Sequence, residues 1–132
     1  MYLSFLPRQK DVAESILLSL RSAGYDAKPL LGEPQDKSLV MLLLDMDTKE
    51  DELFGSNPWL QAQFEYSSLK ALRLMPFLVY RSSLGSVEDQ VEENLSDTME
   101  AVISGEFKPY GFDLDSPNPL QEFASVLETY EE

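Results

Sequence analysis

Ser38-Leu39-Val40-Met41-Leu42-Leu43-Leu44 is the stretch on which the fold turns. Its apolar run is far shorter than the ~20 residues of a membrane helix. It is also too uniform for a strand with one wet face, where apolar and polar side chains alternate. An unbroken run of strand length is expected of a central parallel strand covered by helices on both sides. Upstream, Tyr2 to Leu6 is a short apolar run stopped by Pro7. Val12, Ala13, Ile16, Leu17, Leu20 and Ala23 then recur at helical spacing up to Gly24, which suits a left-handed C-cap. Tyr25 to Leu31 predicts a second, short strand ended by the turn-forming Gly32-Glu33-Pro34-Gln35-Asp36.

Downstream, Asp45 to Asn57 reads as an acidic, irregular loop. Asn57 and Pro58 form a cap-proline pair that predicts a helix to about Leu72. Met75 to Tyr80 is a strand, with Pro76 tolerated at its start. Ser86-Val87-Glu88-Asp89 has the form of a capping box. It opens a helix whose apolar stripe is Val87, Val91, Leu95, Met99 and Val102, whose other face is acidic, and which Gly105 ends. Phe107 to Phe112 suggests a short edge strand. Asn118-Pro119 repeats the cap-proline signature before a last helix with Phe123, Val126, Leu127 and Tyr130 inward.

Strands alternating with helices imply a parallel sheet with right-handed crossovers. The expectation is one α/β domain over residues 1–132, a flavodoxin-like three-layer sandwich. Its central, mostly parallel sheet has four to five strands. Only Leu31 to Lys37 separates the second and third strands, so the helix between them is missing or minimal.

Composition removes several chemistries. The chain has no Cys and no His, so disulfides, thiol catalysis and the commonest general base and metal ligand are absent. Acids number 24 against 10 bases, a formal charge of −14. Residues 1–44 balance five acids with five bases, and residues 45–132 carry nineteen acids and five bases, which supplies the whole excess. Such a surface repels nucleic-acid backbones and steers basic partners inward. The N-terminus has no basic region followed by an apolar core, as a secretory signal would. The expectation is a cytoplasmic chain with no membrane span and no nucleic-acid partner.

Three segments, in order, resemble the Toll/interleukin-1 receptor (TIR) family. Tyr2-Leu3-Ser4-Phe5 followed by Lys10-Asp11-Val12-Ala13-Glu14 and Ala23-Gly24-Tyr25-Asp26 is similar to the family's first strand, first helix and approach to the second strand. Ser56-Asn57-Pro58-Trp59-Leu60-Gln61-Ala62-Gln63-Phe64-Glu65-Tyr66 is similar to the start of its third helix. Leu74-Met75-Pro76-Phe77-Leu78-Val79 is similar to its fourth strand. The resemblance implies a signalling module that assembles with other proteins, including other TIR domains or itself. It also implies a ligand site at Phe5, Trp59 and Gln63. Enzymatic members hydrolyse NAD with a glutamate four residues after the tryptophan. Here that position is Gln63, which carries no negative charge and accepts no proton. The resemblance therefore points to a catalytically degenerate module that binds a protein or a nucleotide-derived signal, with no resident cofactor. The alternative is an NAD hydrolase using Glu65 or another carboxylate, although residues two apart on a helix face about 200° away from each other.

Asp45-Met46-Asp47-Thr48, at the end of the apolar strand, suggests a third reading as a phosphoacceptor or phosphatase centred on Asp45. The acids Asp45, Asp47, Glu50, Asp51 and Glu52 lack the spacing of a calcium loop, and no metal site is expected.

Overall fold

Leu39–Leu44 lies in the middle of a sheet whose five strands are all parallel and run in the order β2-β1-β3-β4-β5. The computed structural model describes residues 1–34, 38–60, 73–98 and 109–131. The strands are β1 (Tyr2–Ser4), β2 (Lys28–Pro29), β3 (Leu39–Leu44), β4 (Arg73–Tyr80) and β5 (Tyr110–Asp113). The helices are α1 (Lys10–Ser22), α2 (Glu50–Ser56), α3 (Val87–Asn94) and α4 (Phe123–Glu131).

All six β3 residues are buried. Leu39, Met41 and Leu43 face one side, where Met75, Phe77 and Val79 of β4 join α1 and α4 in a single core. Val40, Leu42 and Leu44 face the other side, packing with Leu74 and Leu78 against Leu53 of α2, Leu60 and Leu95. This is a flavodoxin-like three-layer α/β fold, as the sequence predicts.

Local chemistry explains the elements. Gly24 has φ +95°, so the C-cap of α1 falls where expected. Ser86 caps α3 through a hydrogen bond that its Oγ accepts from Asp89 N (3.2 Å). Pro76 sits inside β4 opposite Leu42, not at the strand's start. The described pairing with β5 begins only at Phe77, so at Pro76 the ladder is seen on the β3 side alone.

Four further expectations need correction. The second strand is only Lys28–Pro29, an edge with two paired positions. The segment read as irregular contains α2, whose first turn carries Glu50, Asp51 and Glu52 at the positive end of the helix. The helix from Ser86 is interrupted at Leu95, where φ is −122°. The last helix starts at Phe123 rather than Pro119, because Glu122 adopts φ +67°. Phe123, Val126, Leu127 and Tyr130 nonetheless point inward as expected.

Among the described residues, no helix is long and apolar enough to cross a membrane.

Candidate functional site

In this strand order the chain moves outward from β1 to β2, then returns past β1 to β3. In open parallel sheets, ligands bind beyond the carboxyl ends of the strands, near such a reversal. A cleft of about 770 Å³ opens on the β2 side of that reversal, lined by Ser4 at the end of β1, Phe5 after it, Leu30, Gly32 and Glu33 after β2, and Trp59. Its volume lies within the ~300–1,000 Å³ common for organic ligands.

The local backbone explains the opening. Leu30 N donates to Leu3 O (2.9 Å), holding the chain beside β1. Gly32 then turns at φ +79°. No helix follows β2 among the described residues. The floor is tied together by a buried pair. Ser4 Oγ donates to Asn57 Oδ1 (3.1 Å), and Asn57 Nδ2 donates to Leu53 O (2.9 Å). Asn57 thus closes α2 and anchors it to β1, and its own carbonyl accepts Leu60 N (2.9 Å) in the turn holding Trp59.

Phe5 and Trp59, assigned to a ligand site through family resemblance, line this one cleft. Both are half-buried, Phe5 against the α1 side of the core and Trp59 against the α2 side. Gln63 and Glu65 lie outside the described residues.

Between β1 and β3 stands a second cluster, one that only the folded topology assembles. Arg8 Nη1 donates to Asp45 Oδ2 (2.7 Å), and Arg8 Nη2 donates to Glu52 Oε1 (2.7 Å). Asp45 accepts further hydrogen bonds from Gln9 Nε2 (3.0 Å), Asp47 N (3.0 Å) and Thr48 Oγ1 (2.9 Å). Burial pushes the Asp45 carboxyl up, but hydrogen bonds from Arg8, Gln9 and Thr48 outweigh it and hold it below the usual range. Arg8 likewise holds Glu52 low. Both Asp45 oxygens are therefore occupied by protein donors. Among the described residues, no group of three or more acids is arranged to hold a metal ion.

The two lowered carboxyls give a pH prediction. Their contribution is complete above the unfolded values, ~3.9 and ~4.3. It is lost as pH falls through the lower folded values. Arg8→Gln should lower stability by about 1 kcal/mol at pH 7, since the groups are partly screened by solvent. The gap to the parent should close as the pH drops below ~4. Urea unfolding at pH 7, 5 and 3 measures it, and a pH-independent gap would contradict the assignment.

Comparison with family models, with curated proteins and with solved structures finds no match to this chain.

Proposed function

We propose that the chain is a catalytically degenerate TIR-like module that holds a nucleotide-derived signal between Phe5 and Trp59. The convergence of these two aromatics on one cleft is the observation that carries the reading. Aromatic faces accept the flat ring of a base without hydrogen-bond matching, each stacked base contributing ~1–3 kcal/mol. Gln63, at the position of the catalytic glutamate in enzymatic relatives of the proposed family, supports binding without hydrolysis. Glu33 is the one charged side chain among the described lining residues. Asp45, with its oxygens already engaged, gives little support to phosphoryl transfer. The exposed acids Glu88, Asp89, Glu92 and Glu93 of α3 favour a basic protein surface, such as another TIR domain, as the module's partner.

Trp59 is the only tryptophan, so its emission reports directly on the cleft. NAD and ADP-ribose should each change that emission saturably, and NAD should release no nicotinamide. Phe5→Ala should weaken binding about tenfold or more, the equivalent of one lost stacking contact. An emission unchanged at millimolar ligand would sink the nucleotide reading. Nicotinamide release abolished by Glu65→Ala would instead establish a hydrolase.

A further inference from the structure

Beyond the carboxyl ends of β4 and β5, away from the Phe5–Trp59 cleft, the side chain of Tyr80 lines two adjoining cavities. One, about 210 Å³, is walled mainly by apolar side chains including Val12, Leu43, Met46 and Val79. The other, about 320 Å³, is polar and includes Asp113 and Glu122 in its lining. Tyr80 belongs to both linings. Gly111 allows this arrangement, because a Cβ there would stand 3.2 Å from Tyr80 Cε1. Leu84 and Leu114 stand at the rim of the apolar cavity and are 73% and 38% exposed.

These leucines are not on slack loops. Asp113 Oδ1 accepts from Ser82 N (3.0 Å) and from Asp115 N (2.9 Å). Asp115 accepts from Ser83 N (3.0 Å), Ser83 Oγ (2.7 Å) and Arg81 Nη1 (3.0 Å). The two loops are therefore locked together, and the apolar rim is preorganised rather than free to fold inward.

The electrostatics indicate what covers it. Arg81 is paired with Asp115, and Arg8 is paired with Asp45 and Glu52. Among the described residues, that leaves Asp113, Glu88 and Glu122 in excess around the Tyr80 ring, whose phenol is pushed up by burial and then by Asp113 and Glu88. A second copy of a chain with charge −14 meets like charge here. A small ligand inside the cavities would leave the two rim leucines wet, whereas a polypeptide laid across them would cover both. The geometry points to a docking site for a partner segment that places an apolar side chain beside Val79 and an adjacent Lys or Arg against Asp113 and Glu122.

The test uses capped peptides on methyl-labelled full-length protein. Lys-Lys-Leu-Leu-Lys-Lys should shift the methyl signals of Leu84, Leu114 and Val79 saturably, and more weakly in high salt. Glu-Glu-Leu-Leu-Glu-Glu and Lys-Lys-Ser-Ser-Lys-Lys should not. Leu84→Ser and Leu114→Ser, both at exposed positions, should each weaken the first peptide at least fivefold while leaving the Trp59 response to nucleotide unchanged. Equal binding of the serine peptide would show simple counterion attraction and overturn the proposal. So would equal binding of the acidic peptide, shifts centred elsewhere, or no shifts at all. A dimer in sedimentation that Leu84→Ser dissolves would also overturn it, by identifying the face as a self-interface.

Discussion

Phe77→Ala should lower the unfolding free energy by about 3–5 kcal/mol, the range for removing a large buried ring. Phe77 is completely buried in β4, facing the core that α1 and α4 cover. Its ring lies 5.4 Å from Tyr110, 5.5 Å from Phe112 and 6.3 Å from Phe123. Truncation thus detaches β5 and α4 from the central strands as well as leaving a cavity. Because domains of this kind are stable by only ~5–15 kcal/mol, much of the margin should go. The melting temperature should fall by roughly 10–20 °C. Phe77→Leu keeps most of the volume and should cost less than about 1.5 kcal/mol. Urea unfolding of both variants measures the difference. An alanine variant within 1 kcal/mol of the parent would mean that the aromatic cluster does not hold the two edges together.

Thr48→Val should cost about 2–3 kcal/mol through polarity alone, because the two side chains have nearly the same shape and buried donors without partners cost ~1–3 kcal/mol each. Thr48 is fully buried beneath the cluster at the β1–β3 boundary. Its hydroxyl donates to Asp45 Oδ1 (2.9 Å) and accepts from Asp45 N (3.1 Å) and Gln9 Nε2 (3.2 Å). Valine removes all three bonds at once. Thr48→Ser should recover most of the loss, which separates the hydrogen bonds from the methyl contact. If valine proves neutral in chemical denaturation, the loop after β3 is held by Arg8 rather than by Thr48.

The central architecture was legible because its signals are local and redundant. Leu39 to Leu44 offers no polar residue to a wet face, and Phe123, Val126, Leu127 and Tyr130 keep helical spacing whatever the cap does. The misses have equally local causes. In α2 only Leu53 is fully buried and its cap, Lys49, makes no side-chain bond, so periodicity over seven residues was too thin to see. The acids of its first turn were the available signal. The Asn118-Pro119 signature misled because Glu122 takes a backbone conformation that pattern alone does not reveal. Of the candidate sites, Phe5 and Trp59 were named at the sequence level, and both line one cleft. The Arg8–Asp45–Glu52 cluster was not named, because it joins side chains whose separation along the chain carries no periodic signal.

The two-residue β2 edge has a consequence for exchange kinetics. β3 and β4 share six paired positions, whereas β2 is held to β1 by two. Local opening should therefore begin at β2, with the amides of Lys28 and Leu30 exchanging with solvent well before those of Val40 to Leu44. Because the Phe5–Trp59 cleft is walled partly by the chain after β2, an occupant there would be bound to the most easily opened part of the sheet. Slowed deuterium uptake at Lys28 and Leu30 would then register occupancy even where the average structure does not move.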